Sequence, residues 1–369
     1  MANYSIGGED EISRQLTLLL LVKDTPTYVL RWVRWMAQNG CVFPIFIADG
    51  SRDASLGGAL EKLQAITGHA LTISYEFFGP DSTRIKYYKK IASAIDQIAN
   101  PFTAVLAPDD FPIVAGLNKA VQAVAADDSV AAARGRIHDI RLHQTSSEIS
   151  ISTDWRELDP SMIAENPAAR LYQHFSHYAW TYHDVVRTEI ARRGFHGSLR
   201  ERILDPNLQE LYLSSLLVCS GKVLRVDTPF IVRETRDSSV SILMNTAVDA
   251  FDQVLGDDWV RQYWAMIDGV GALLCSQDQG LEKRQARDIV HGCLRRFMSR
   301  NITEALSGAY HRTEEFDLSF ASKINQHHSS NACPNQDLNT IREIYSFWAL
   351  LAGLEVPSVF QLSRKYADQ

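Results

Sequence analysis

Four apolar runs of strand length, separated by three segments of helical periodicity, constrain this chain more than any other feature. The first, Leu16 to Val22, is apolar nearly throughout, as a strand buried on both faces must be. "TPTYVLRWVRWMAQNG" follows, with Pro26 at its start, apolar residues at Val29, Trp32, Val33 and Met36, and Asn39-Gly40 as a stop. That combination predicts a helix with both ends marked. "CVFPIFIADGS" predicts a second strand ending at Asp49-Gly50-Ser51, Ser55 to Ile66 a second helix, and "LTISYEFF" a third strand. Arg84 to Ala99 carries a stripe at Ile85, Tyr88, Ile91, Ile95 and Ile98, which predicts a third helix, and "FTAVLA" is the fourth strand. Strands alternating with helices make βαβ units, hence a mostly parallel sheet with right-handed crossovers. Ligands of such sheets collect at the carboxyl ends of the strands. Asp24, Asp49 and the Asp109-Asp110 pair each follow a predicted strand, so they are expected along one edge. Two adjacent carboxylates repel each other. A bound divalent cation would offset that repulsion, and a solvated turn is the alternative.

Beyond Ser129 the pattern loosens. "SVAAARGRI" predicts a strand, "HDIRLHQTSSEISIST" a polar hairpin or loop, and "YHDVVRTEIARRGFHG" a helix ended by Gly194. "LDPNLQELYLSSLLVCSG" carries Asp205 as N-cap, Pro206 at the first helical position and Gly221 after the end. "KVLRVDTPFIVRE" predicts a pair of strands, and from about Val240 onward only helical patterns remain. "NQHHSSNACPNQ" is the clearest loop.

With 369 residues and 46% apolar content, the chain can bury a full core, as two domains or as one with an extension. A net charge of −7 argues against a general nucleic-acid binder, so any phosphate site must be a local basic patch. The five cysteines, Cys41, Cys219, Cys275, Cys293 and Cys333, never fall in a C-x-x-C spacing. They read as reduced thiols of a cytoplasmic protein, with no zinc knuckle. "MANYSIGGEDEISRQ" lacks the basic start of a signal peptide, and "LTLLLLV" is too short to span a bilayer. The expectation is therefore no transmembrane segment, with any membrane contact peripheral.

These residues resemble a family 2, GT-A-type glycosyltransferase over roughly Leu16 to Ser241. "VKDTPTYVLRW" keeps Pro26 and Tyr28 of the family's first turn, and "IADGSRD" keeps Asp49, Gly50 and Ser51 of its second strand end. "LAPDDF" stands where the family has Asp-x-Asp, Arg187 with "RRGFHG" echoes a later element, and "LDPNLQELYLSSLLVCSGKVLRVDTPFIVRE" echoes the last helix and strand. Ala48 and Ala107 stand where many members carry aspartate, and Lys89-Lys90 where an Arg-Asn pair is usual. The resemblance implies a Rossmann-like, mixed and mostly parallel sheet flanked by helices over residues 1–240, and an all-helical extension over 241–369.

It also implies a chemistry. A metal-dependent inverting enzyme moves a sugar from a nucleotide-diphosphate sugar, UDP-linked by this reading, to a hydroxyl of a glycan or lipid-linked acceptor. Mn²⁺ or Mg²⁺ would be held by Asp110, with Asp109 as a further ligand or nearer the ribose, and would stabilise the leaving pyrophosphate. Asp49 would accept from the nucleobase, unless Asp49-Gly50-Ser51 is simply a turn, and Lys23 and Asp24 would lie beside base and ribose. Arg84, Lys86, Lys89 and Lys90 would form the basic patch facing the donor phosphates, unless they are simply a solvated face. Arg233, followed by Glu234, would steady those phosphates or form a surface pair. One carboxylate must deprotonate the acceptor, and two compete: Asp205 at the helix start, which the resemblance favours, and Glu210, eleven residues before Gly221. The histidines His174, His177 and His183 read as an acceptor-groove wall or packing. Trp155, Tyr178, Trp180 and Tyr182 could stack on sugar rings, although aromatics are more often core. A sugar nucleotidyltransferase shares the strand order but wants a glycine-rich loop after the first strand, which "LVKDTPTYVL" lacks. A non-catalytic nucleotide-sugar-binding module and assembly into a homo-oligomer stay open.

Overall fold

The computed structural model describes residues 15–66, 70–144, 149–154, 158–234, 257–278 and 280–314, with Glu343, Ile344 and Phe347. The predicted alternation appears as β1 (Leu16–Val22), α1 (Pro26–Gln38), β2 (Ile45–Asp49), α2 (Ser55–Ile66), β3 (Ile73–Phe77), α3 (Arg84–Asp96) and β4 (Phe102–Leu106). There follow β5 (Phe111–Pro112), α4 (Val114–Ala125), β6 (Val130–Gln144), β7 (Ile149–Asp154), α5 (Pro167–Ser176), β8 (Val185–Arg187), α6 (Thr188–Arg200), α7 (Pro206–Ser220) and β9 (Lys222–Glu234). Two helices, α8 (Asp257–Gln277) and α9 (Lys283–Glu314), complete the described elements.

The strands form one mixed sheet in the order β3-β2-β1-β4-β8-β6-β9-β5, with β7 paired to β6 off that path. β1 runs parallel to β2 and β4, and β2 parallel to β3. β8 is antiparallel to both β4 and β6, while β6 and β9 are parallel. The carboxyl ends of β1, β2 and β4 therefore lie side by side, as the strand alternation requires.

Strand periodicity divides the core. Leu16, Leu18 and Leu20 of β1 pack on one face with Val29, Trp32 and Met36 of α1, and Leu19 and Leu21 pack on the other with Tyr88, Ile91 and Ile95 of α3. A third cluster joins α5, α7, α8 and α9 to Ala131 and Val223 of the sheet. Tyr263 and Ile267 are buried there, with Trp259 packed against them, so the helices beyond residue 240 share a core with α7. Ile344 and Phe347 return to the first cluster, where Phe347 meets Trp35 edge-on at 5.3 Å. The expected boundary at residue 240, the loop at Asn325 to Gln336, and Trp155 all lie outside the described residues. No described helix is long and apolar enough to cross a membrane.

Three expectations are corrected. Gly194 does not end a helix: α6 runs on to Arg200. A Cβ at Gly194 would sit 2.8 Å from Leu213 Cδ2, and one at Gly197 2.4 Å from the Tyr212 hydroxyl. Both glycines serve the close approach of α6 to α7. The segment before α6 is the short strand β8, too brief for a period to show. "KVLRVDTPFIVRE" is one strand whose register against β6 shifts near Pro229, where the ladder loses a donor.

Candidate active site

The ends of β1 and β2 are a closed, well-bonded unit. Asp49 is fully buried; its Oδ1 accepts from the Ser51 N–H at 2.9 Å and its Oδ2 from the Tyr75 hydroxyl at 2.9 Å. Gly50 is required because the chain after β3 folds onto it: a Cβ there would overlap Asp81 Oδ2 at 2.0 Å. Asp81 is buried and receives the Lys90 ammonium at 2.6 Å, and Lys90 also donates to the Val22 carbonyl at 2.8 Å. Burial lowers the Lys90 pKa, and the Asp81 carboxylate opposes that shift. Lys23 donates to the Asp81 carbonyl at 2.9 Å. Asp24 sits in left-handed backbone, φ 52°, with its N–H on Ser51 Oγ at 2.8 Å and its carboxylate accepting from the Arg52 N–H at 3.0 Å. Lys23 and Asp24 are exposed at this strand end, whereas Asp49 is sealed behind them.

The end of β4 is arranged differently. Asp110 is buried, and its pKa is pushed up to about 8, first by desolvation and further by Asp109, Asp139 and Glu234, while Arg233 opposes the shift. His183 Nδ1 lies 2.9 Å from the Val105 carbonyl, which can only accept, so Nδ1 carries the proton. The free Nε2 of the neutral ring faces Asp110 Oδ2 at 3.9 Å. Burial brings the His183 pKa down to about 4, so the ring stays neutral at pH 7. Arg233 stacks over Trp180 at 4.5 Å, and its charge acts on Asp110, His183 and Glu210 together. Behind them Arg31 pairs with Glu234 at 2.5 Å and donates to the Asp109 carbonyl at 2.9 Å. Its guanidinium lies between the Tyr28 and Phe111 rings at 4.8 and 4.6 Å.

The two carboxylates proposed for the base are separated in role. Asp205 Oδ1 accepts from the N–H groups of Asn207 and Leu208 at 3.1 and 3.0 Å, an N-cap of α7. Glu210, one turn on, is half-buried, and Tyr178 donates to its Oε1 at 2.5 Å. Desolvation raises the Glu210 pKa against the opposing effects of Tyr178 and Arg233. The basic helix also divides: Arg84, Lys86 and Lys89 are exposed, and only Lys90 turns into the fold.

Sequence reasoning missed Asp81 and the part of Arg31; it read His183 as an acceptor-groove wall or packing and Tyr178 as a sugar-stacking or core ring. Gly50 was the available signal for Asp81, since a strand-end glycine often marks a close approach. His174 is packing: it is fully buried between the Phe175 and Tyr178 rings, each 5.0 Å away. Among the described residues no three His, Cys, Asp or Glu side chains converge as a ready-made metal cage.

No family model and no curated protein matches this chain. Among solved structures, it is similar to S. aureus TarS 1–349 in complex with UDP, with a TM-score of 0.47 and 13% identity over 77% of this chain and 72% of that one. The same protein in complex with UDP-GlcNAc gives a TM-score of 0.48 and 14% identity over 77% of this chain and 73% of that one.

Proposed function

We propose that the protein is an inverting glycosyltransferase of the GT-A type, with a nucleotide-diphosphate sugar, UDP-linked, as donor and a glycan or lipid-linked hydroxyl as acceptor. One observation carries this reading: after the end of β4 the neutral His183 Nε2 faces the buried Asp110 Oδ2 at 3.9 Å, with the Arg233 charge acting on both and on Glu210 of α7, beside the closed unit at β1 and β2. Lys23 and Asp24, exposed at the end of β1, would hold base and ribose. Asp49 would act through Ser51 and Tyr75, because both of its oxygens are already engaged. Lys90 is committed to Asp81 and Val22, so Arg233 would meet the donor phosphates.

The residues fit a hard divalent cation in an open site. A buried carboxylate whose ionisation is opposed by its neighbours, next to a neutral imidazole nitrogen, offers one O and one N donor. Phosphate oxygens and water would complete the set, as is usual for Mg²⁺ and Mn²⁺. Asp110 and His183 would hold the ion, which would neutralise charge on the departing diphosphate. Glu210 would take the acceptor proton: burial raises its pKa, the direction that favours a general base working near neutral pH. Arg233 would hold the leaving group in place while that proton moves.

Two measurements test this. UDP or a UDP-sugar should raise the melting temperature, more with Mn²⁺, and a ligand at 100 times its dissociation constant stabilises by about 2.7 kcal/mol. Glu210→Gln should keep that response while sugar transfer, or slow donor hydrolysis, falls by about 10²–10⁴. Asp110→Asn should lose the metal-dependent part. A binding module without chemistry would show the thermal response but no UDP release in any variant. No response to any nucleoside diphosphate would sink the assignment.

A further inference from the structure

The helices beyond residue 240 have no role in the reading above, yet one of them reaches the base through a single intermediary. The phenol of Tyr178 donates to Glu210 Oε1 at 2.5 Å, and among the described residues no other hydrogen bond to this carboxylate appears. The ring behind that hydroxyl is clamped on several sides. Phe297 of α9 lies 4.8 Å away, His174 of α5 5.0 Å, and Phe175 of α5 stacks at 6.3 Å with planes 12° apart. Phe297 also contacts Phe175 at 5.4 Å. A tyrosine rotates about two side-chain torsions, so a ring packed this way aims its hydroxyl in one direction.

We propose that Tyr178 is the positioning residue of the Glu210 base, and that α9 acts on the active site through it. Phe297 fixes the phenol ring, the phenol hydroxyl fixes Oε1, and Oε2 is left to receive the acceptor proton. The inference rests on Glu210 being the base. It gives the C-terminal helices a mechanical part in the reaction, as the wall against which the base is aimed.

The sign of the effect follows from the donor. A hydrogen bond to the charged carboxylate favours the ionised form. Tyr178 is held as a phenol, because burial and the Glu210 charge both keep its own pKa well above the usual range. The other groups acting on this pair are Arg233 from β9, which favours the carboxylate, Tyr182 from the segment before β8, and Ser214 on α7 itself, beside the phenol oxygen. None of them replaces the lost donor when the phenol is removed. Tyr178→Phe should therefore move the Glu210 midpoint up by about one to two pH units.

The midpoint is read without turnover, from the carboxyl ¹³C shift of glutamate-labelled protein, with Glu210→Gln assigning the resonance. Tyr178→Phe should shift it upward as stated. UDP release from UDP-glucose or UDP-N-acetylglucosamine, with water as acceptor, should fall at neutral pH, and the part of the loss that comes from the protonated carboxyl group should recover at alkaline pH. Phe297→Leu, a mild change that keeps the core filled, should shift the midpoint in the same direction by less. It should add nothing in the Tyr178→Phe background. An unmoved midpoint in Tyr178→Phe overturns the proposal, and an unchanged rate of UDP release at every pH does so as well. An additive Phe297→Leu shift overturns the part assigned to α9. Failure of the underlying reading looks different: Glu210→Gln would then keep its turnover whatever the titrations show.

Discussion

The two strand ends that line the edge of the sheet solve opposite problems. At β1 and β2 every buried charge has a partner. Asp49 has two donors, and Asp81 has Lys90 at 2.6 Å with both side chains at most 2% exposed. Beyond β4, buried Asp110 and half-buried His183 and Glu210 of α7 have their charged forms disfavoured. Asp110 is pushed up to about 8, His183 is held neutral, and Glu210 is raised by burial. The first arrangement holds a shape, and the second stores unfavourable electrostatics that a ligand can relieve. Strongly perturbed ionisation marks sites of chemistry more often than sites of architecture. In the function proposed above, the β1–β2 end would be the frame of the donor pocket and the β4 end its reacting centre.

The largest expected effect comes from breaking the frame. Lys90→Met leaves the Asp81 carboxylate buried without its cation, which costs about 3–5 kcal/mol in such cases. Replacing Asp81 by Leu in the same chain should restore much of the loss, because no orphaned charge remains. Glu210→Gln in the other region should leave stability unchanged or raise it slightly, since it removes a desolvated carboxyl group. Denaturant unfolding of the four proteins measures this contrast. If Glu210→Gln costs as much as Lys90→Met, the division between frame and reacting centre fails.

The strands and helices that carry the frame were legible in the sequence, because their signals are local, but the Asp81–Lys90 pair was not. The run from Leu16 to Val22 announces a strand buried on both faces, and Asp205-Pro206 announces the start of α7. Both depend on neighbours a few positions apart. The proposed reacting centre was legible as separate candidates, Asp109-Asp110, Glu210 and Arg233, but not in the pairs they form. His183 meets the Val105 carbonyl across 78 positions, and Tyr178 meets Glu210 across 32, and no periodicity encodes such pairs. Gly194 misled for a related reason. A glycine needed for helix contact and a glycine that ends a helix look alike until the partner, Leu213 of α7, is known. The basic run of α3 shows the same limit, since one residue of rotation separates exposed Lys89 from buried Lys90.

A smaller effect tests the ground beneath the reacting centre. His174 is fully buried, neither ring nitrogen has a hydrogen-bond partner among the described residues, and its pKa is brought down from 6.5 to about 3 by desolvation, with the Arg225 charge adding to the shift. The native state therefore favours the neutral ring. That contribution is fully present above pH 6.5 and is lost progressively as pH falls toward 3. Between pH 7 and pH 5 the wild type should lose about 2 kcal/mol more than His174→Leu, at 1.36 kcal/mol per pH unit below the unfolded midpoint. Unfolding at the two pH values gives the comparison. Parallel losses in both proteins would mean that His174 is charged in the native state. The packing behind Tyr178 would then need a partner for that charge.

The smallest effect is expected at Asp205, the carboxylate that the family resemblance favoured as base. Its Oδ1 caps α7 by accepting from Asn207 and Leu208, and its own N–H donates to Gln262 Oε1 at 2.7 Å. An asparagine oxygen can accept the same two bonds, and Asn caps helices about as well as Asp does. Asp205→Asn should therefore change stability by no more than a few tenths of a kcal/mol, whereas Asp205→Ala should cost about 1 kcal/mol. Transfer should stay near the wild-type rate in Asp205→Asn, because a cap has no proton to receive. The measurement weighs Asp205→Asn and Glu210→Gln directly against each other, since both replace a carboxylate by its amide on one helix. A rate loss of about 10² or more in Asp205→Asn, with the fold intact, would move the base to the helix start. Tyr178 would then be holding a bystander. A near-wild-type rate leaves Glu210, one turn further along α7, as the carboxylate whose burial has a chemical use.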